Sequence, residues 1–325
     1  MSERAEIFET IQIGVEVTPG VAVAANRKLA SLGITAAPRL TSSRFRPRGR
    51  KFDTLVVPGR RDTAGNVEGR GTYNELQYPM SSIAGAATIT TPSGATVARE
   101  WLFEINPQGP DVPTTYTTEI GSSVRASRVA GGLFSGLSMN FGTEEITLGG
   151  DFMGRRWEDD VTMTASPTEI DLVPIDPNDV SIYVDDSYAA LGTTLQERLF
   201  AAQWAVTGKY GPIWVINAAN PSWASTVELA ADATLGMTYA ADDEGMAPLV
   251  AFENGDTVWV RIEAVGPDIE ASQPYLFRAD FAAKAEEISF DNQDGIVGAA
   301  WTFRLVDNTD LAGVQVLLRN ERAAL

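Results

Sequence analysis

Twenty-nine Gly and seventeen Pro are spread along this 325-residue chain, and few stretches between them hold an apolar pattern of helical period. Runs rich in Val, Thr, Ala and Ile alternate with polar residues instead, as half-buried strands closed by turns do. The expected fold class is all-β, with one short helix and long loops. The chain contains no Cys and no His. That removes disulfides, thiolate metal sites, imidazole-held zinc or haem, and every nucleophilic site with a histidine base. Catalysis would be left to carboxylates, Lys, Tyr, a Ser-Lys pair or a metal held by oxygen ligands. Length suggests about two domains. No run of about 18 apolar residues predicts a membrane span. The acidic opening MSERAEIFET lacks the apolar core of a signal peptide, so a soluble protein made and kept in a cytoplasm is expected.

Four strand pairs are predicted. Pro248–Glu263 reads as a hairpin turning at Asn254-Gly255, because Asn-Gly supplies the positive φ angles of a type I′ turn. Leu133–Phe141 pairs with Glu145–Phe152 around Gly142-Thr143. Ala299–Val306 pairs with Val314–Leu318 around Asn308–Gly313, and Leu199–Val206 with Ile213–Asn217 across Gly208–Pro212. One helix carries a start signal: Thr72 and Glu75 are spaced as a capping box, Leu76, Met80 and Ile83 share a face, and Gly85 stops it. Pro79 should kink it. From about Arg39 to Arg70 the composition turns to Arg, Pro and Gly, which reads as a long excursion outside the core. Residues 165–179, with Pro167, Pro174 and Pro177, read as a connector. The resulting division is an N-terminal segment (1–38), a basic arm (39–71), a first β-rich half with the short helix (72–164), the connector, and a second β-rich half (180–325). No strict repeat relates the halves, so duplication stays open.

The charge is segregated as well. Residues 1–70 hold twelve Lys and Arg against seven Asp and Glu, a net of +5, and the remainder carries −23, for a total of −18. Such a chain is self-complementary: copies attract head to tail while the acidic bulk repels nucleic acid and anionic membranes.

Several short motifs, in order and spacing, resemble major tail tube proteins of long-tailed bacteriophages. They are Gly14-Val-Glu-Val-Thr-Pro-Gly20-Val-Ala-Val-Ala-Ala25, the Arg46–Lys51 stretch, and Glu68-Gly-Arg-Gly-Thr-Tyr-Asn-Glu-Leu76. Leu133–Met139 leading to Gly149–Gly154 follows, then Tyr275–Phe281, Asp294–Val297 and the closing Arg319-Asn320. The resemblance spans nearly the whole chain. It implies a tail-tube-type β-sandwich or barrel, and hexameric rings, or pseudo-hexameric trimers of duplicated subunits, stacked into a conduit for genome ejection. It also implies a virion protein assembled in the host cytoplasm, not an enzyme and without cofactor, whose partners are itself and tape measure, terminator and distal tail proteins. Double-stranded DNA would pass without tight binding. An acidic lining suits that task. Duplex DNA carries about one charge per 1.7 Å, and a basic lumen making even about 6–10 phosphate contacts per ring would hold the genome.

The basic run Arg44, Arg46, Arg48, Arg50, Lys51, with Arg60 and Arg61, has three readings: a solvated loop, a docking arm for the acidic surface of a neighbouring copy, or a nucleic-acid site with Phe45 and Phe52 as stacking platforms. The docking arm is preferred, since overall acidity opposes the last. Glu158-Asp159-Asp160, Asp185-Asp186 and Asp242-Asp243-Glu244 are either solvated turns or the acidic lumen and docking partners of that arm. Asp291, Asp294 and Gly295 echo a calcium loop without its spacing, so a hairpin turn is expected there. The alternative function is a β-sandwich carbohydrate-binding or glycoside-cleaving module, with Trp157-Glu158-Asp159 as its cleft. Adjacent acids on a strand point to opposite faces, however, and nothing places a second carboxylate about 5–9 Å away. Lys is confined to Lys28, Lys51, Lys209 and Lys284, with no Ser-x-x-Lys, which disfavours a Ser-Lys hydrolase. Gly14, Gly20 and Gly33 lack phosphate-loop spacing.

Overall fold

The computed structural model describes residues 6–105, 109–216, 221–293, 295–308, 310–311 and 314–325. The chain is all-β, with 56% of residues in strands. The first strands are β1 (Thr10–Val15), β2 (Arg27–Leu29), β3 (Gly33–Phe45), β4 (Leu55–Arg70), β5 (Thr88–Thr90) and β6 (Arg99–Glu104). Then come β7 (Tyr116–Gly121), β8 (Ala126–Phe141), β9 (Ile146–Gly154), β10 (Arg156–Val161), β11 (Thr168–Glu169) and β12 (Val180–Asp185). The remainder are β13 (Leu199–Thr207), β14 (Tyr210–Ile213), β15 (Ser225–Glu228), β16 (Asp232–Ala240), β17 (Val258–Glu270), β18 (Gln273–Gln293), β19 (Ile296–Leu305) and β20 (Val314–Asn320). Two helices, α1 (Gln77–Ile83) and α2 (Pro248–Asn254), are found among the described residues, where one was expected.

Two long strands organise the sheets. The first half of β8 lies between β7 and β10, and its second half between β9 and β13. Likewise β18 pairs through Leu276–Phe281 with β20 and through Ala283–Gln293 with β19, while β17 runs along its other side as far as Ala283. A hydrogen-bonded series β3-β4-β9-β8-β13-β16-β19-β18 results. The two halves of the chain are joined by the β8–β13 and β6–β20 pairings. One buried cluster, including Phe134, Phe152, Trp204, Phe281, Phe303 and Val316, draws on both. In β13 and β20 the period-2 pattern orients the strand as the sequence predicts: Ala202, Trp204 and Val206 are buried, as are Val314, Val316 and Leu318.

The predicted β8–β9 hairpin forms, with Phe141 opposite Ile146. The other three pairings are corrected. Pro248–Asn254 is helical: Pro248 sits in the first turn, where a missing N–H costs nothing, and Gly255 at φ 70° caps the helix in the left-handed region. An Asn-Gly step serves a helix end as well as a hairpin. β19 and β20 are not paired, because β18 occupies the position beside each. β13 pairs with β16 and β8, and Tyr210–Ile213 pairs with β15; the predicted partner's end at 217 lies outside the described residues. The turn expected at Asp291–Gly295 closes the β18–β19 hairpin, with Gln293 opposite Ile296 and Gly295 at φ 91°; residue 294 lies outside the described residues.

Helix α1 forms, but not through a capping box. Glu75 turns away from the helix, and its carboxylate accepts the backbone N–H groups of Ala30 (2.5 Å), Ser31 (3.1 Å) and Leu32 (2.8 Å). Thr72 Oγ1 is buried without a hydrogen bond. Pro79 falls in the first turn of α1, where its N–H would have no intrahelical acceptor, so the bond whose loss predicted a kink does not exist. Gly85, at φ 78°, ends the segment as expected.

Candidate assembly interface

The excursion expected over 39–70 is a β-hairpin. Strands β3 and β4 pair from Gly33–Glu68 at the root to Phe45–Leu55 at the tip. Ile34, Thr63 and Val67 are buried at the root, where β4 also pairs with β9. Every residue from Ala37 to Arg61 is exposed. The nine residues from Ala37 to Phe45, eight spacings of about 3.4 Å, span about 27 Å, and the hairpin outside Leu40 and Arg60 stands clear of the body. Its tip turns at Pro47-Arg-Gly-Arg50, with Gly49 at φ 76° and the Arg50 N–H donating to the Pro47 carbonyl at 3.2 Å.

Cross-strand register divides this arm into two faces. Phe45 opposes Leu55 and Ser43 opposes Val57 on one face; Arg44 opposes Val56 and Ser42 opposes Pro58 on the other. Phe45, Leu55 and Val57 stand 53%, 54% and 43% exposed, so the first face is an uncovered apolar strip. Composition hid this strip: Leu55-Val56-Val57 is a short apolar run that the surrounding Arg, Pro and Gly masked. The basic residues separate by position. Arg44, Arg46, Arg48, Arg50 and Lys51 occupy the outer end and form no ion pair among the described residues. Arg60 and Arg61 belong to the root: the Arg60 guanidinium lies 5.0 Å from the centre of the Trp214 ring, and the Arg61 N–H donates to Pro221 O at 3.2 Å. Arg39 pairs with Asp62 at 2.5 Å.

Beside the root lies a cleft of about 720 Å³ lined by Arg39, Arg61, Asp62, Arg155, Arg156 and Trp157 among others. Most of its cations are already engaged. Arg155 donates to the backbone carbonyls of Trp223 and Pro19, and Arg156 reaches Glu158 at 3.3 Å.

The acidic clusters do not converge. Glu158 also faces Arg128 at 3.7 Å; Asp159 accepts from Nε and Nη2 of Arg125 at 3.1 and 2.5 Å, and Asp160 lies 3.9 Å from the same guanidinium. The hydrogen bond from Arg125 holds the Asp159 carboxyl below its ordinary range, the reverse of what a general acid for glycoside cleavage requires. Asp185 is buried and structural, accepting from Gly192 N, Thr193 N and Oγ1, and Thr194 N. Burial pushes its pKa up, but hydrogen bonds from Thr194, Thr193 and Gly192 together outweigh burial and hold it low. Asp242 accepts from Glu244 N and Gly245 N and faces Arg198 at 3.3 Å, while Glu244 accepts from Glu197 N and Arg198 N. Asp186 and Asp243 are exposed and form no ion pair among the described residues. Of the predicted acidic residues, then, only these two keep a fully unengaged carboxylate.

Sequence reasoning missed three buried carboxylates that tie loops together. Besides Glu75, Glu16 accepts from Gly20 N, Gly131 N, Thr115 Oγ1 and Thr117 Oγ1, and Glu119 binds Arg128 and Thr164. It also missed buried Lys209, paired with Asp111 and 3.5 Å from Glu228. Their partners lie far away in the chain, so no local spacing announces them. Among the described residues no cluster of acids could hold a metal ion, and no helix is long and apolar enough to cross a membrane. No protein-family model matches the chain, and no curated protein matches it.

Proposed function

We propose that this chain is a structural subunit that assembles with copies of itself into stacked rings, a conduit of the phage tail-tube kind, and that it has no catalytic role. The observation that carries this reading is the arm. A two-stranded hairpin standing alone in water is marginal. This one presents an apolar strip on one face and five unpaired cations toward its tip, on a chain whose remainder is strongly acidic. Apolar surface rimmed by one sign of charge marks a contact with a macromolecule. An acidic surface of another copy satisfies both features and offsets the repulsion between like-charged bodies. In the assembly the acidic bulk lines the DNA path and leaves the duplex hydrated and mobile, while tape measure, terminator and distal tail proteins meet the ends.

Electron microscopy of purified protein tests this. Annular or tubular particles with a hole of roughly 20 Å or more, the width a duplex needs, are expected. Only compact monomers at every salt and protein concentration would refute the proposal. Reversing Arg46, Arg48 and Arg50 to Glu should weaken assembly without altering the circular dichroism spectrum. A variant that polymerises like the parent at low and high salt would remove the arm from the mechanism.

A further inference from the structure

A second hairpin, with the opposite charge, forms an edge of the body, its β19 strand paired with β16. Beyond Ala283, β18 has no strand partner on its β17 side among the described residues, and its outer part is mostly exposed. Phe290 and Val297 lie on one face at 60% exposure each, since Phe290 opposes Ala299 and Asn292 opposes Val297. Glu287 and Asp291 lie on the other face, opposite Thr302 and Gly298, and form no ion pair among the described residues. Because β19 is paired with β16 from Gly298 to Arg304, the open side is the β18 edge, which carries exposed apolar residues on one face and unpaired carboxylates on the other, the complement in charge of the arm.

The two hairpins sit apart in one hydrogen-bonded series. From β4 to β19 the route crosses β9, β8, β13 and β16, five spacings of about 4.8 Å or about 24 Å of sheet. Complementary patches at separated places on one subunit make a heterologous contact, which propagates head to tail and closes into a ring or continues as a helix. Resting on the self-assembly reading above, we infer that the β18–β19 hairpin of one copy is the receptor for the β3–β4 arm of the next. The arm's strip of Phe45, Leu55 and Val57 covers Phe290 and Val297, and its basic tip meets Glu287 and Asp291. Each apolar face loses water to the other, and the charges set orientation and encounter rate.

The test is a charge-exchange cycle read by sedimentation and electron microscopy, with circular dichroism to confirm that every variant folds. Glu287→Lys with Asp291→Lys should raise the critical concentration for assembly about tenfold or more, as should Arg46→Glu, Arg48→Glu and Arg50→Glu. All five changes in one chain should restore most of the loss. Because the chain has no Cys, Val57→Cys and Val297→Cys chains mixed under oxidant should form a mixed disulfide dimer that neither forms alone. If the parent assembles and the arm variant fails, yet the Glu287/Asp291 variant assembles like the parent, the receptor is elsewhere and self-assembly stands. The receptor is likewise elsewhere if the combined charge exchange restores nothing and the mixed disulfide does not form. If the parent never assembles, both proposals fall.

Discussion

Replacing Glu75 by Ala isolates an interaction between the start of α1 and a loop more than forty residues earlier. The side chain is 1% exposed, and its two oxygens receive three backbone N–H groups, those of Ala30, Ser31 and Leu32. No other hydrogen-bond acceptor for these three groups is present among the described residues; Leu32 is buried, Ser31 half-buried and Ala30 exposed, so removing the carboxylate strands the Leu32 N–H and leaves the other two partly open to water. A stranded buried donor costs about 1–3 kcal/mol, and the two donors nearer water add less, which places the sum at about 2–4 kcal/mol. With a urea slope of about 3 kcal/mol/M, expected for a chain of this size, the unfolding midpoint should fall by about 1 M. Fluorescence of the seven Trp follows the transition. Glu75→Gln keeps one acceptor oxygen and should lose about half as much. Thr72→Val separates this account from a capping box. A box would cost about 0.5–2 kcal/mol on losing its Thr hydroxyl, whereas Thr72 Oγ1 has no partner to lose and the change should be close to neutral. A Glu75→Ala midpoint within about 0.2 M of the parent, or a Thr72→Val loss as large as that of Glu75→Ala, would refute the reasoning.

Three further outcomes are expected. The Glu270 carboxyl is held down at about 2, from an ordinary 4.5, by the Ala98 N–H first and then by Thr96 and Val97. A depressed folded pKa gives stability that is present above pH 4.5 and lost as pH falls toward 2, so Glu270→Gln should flatten the decline of Tm across that window; an unchanged decline would discount the contact. Lys209→Met removes the buried cation that Asp111 and Glu228 share and should cost about 3–5 kcal/mol in urea unfolding, with a loss under about 1 kcal/mol counting against a structural role. The assembled particle should bind duplex DNA only weakly in fluorescence anisotropy at about 0.15 M salt, whereas the isolated 39–70 peptide binds modestly and loses affinity steeply with salt. Tight, salt-sensitive binding by the particle would place the arm's bases in the lumen and end the acidic-conduit account.

The strand content was legible because period-2 alternation is local: Trp204 and Val206, or Val314, Val316 and Leu318, announce their buried face within a few residues. The β8–β9 hairpin was legible for the same reason, since its two strands are joined by a short turn at Gly142. Pairing between strands distant in sequence was not. Nothing within β19 or β20 says that β18 will lie beside each of them, because that follows from the length of β18 and the packing of both its halves. The Asn254-Gly255 step failed as a hairpin signal because a left-handed Gly suits both a turn and a helix end, and Pro248 with the packing of Phe252 on Trp301 decided for the helix.

Charge segregation and the basic run were determined by the sequence alone, since net charge needs no fold to be counted. So was the absence of His and Cys, and with it the exclusion of whole classes of chemistry. What those charges face was decided by tertiary structure. Asp185 is spent on capping a loop, and Glu158 and Asp159 on nearby Arg side chains, whereas the bases from Arg44 to Lys51 stand unpaired at the end of a projecting hairpin. An ion pair depends on approach within about 4 Å, and only the folded backbone sets that distance.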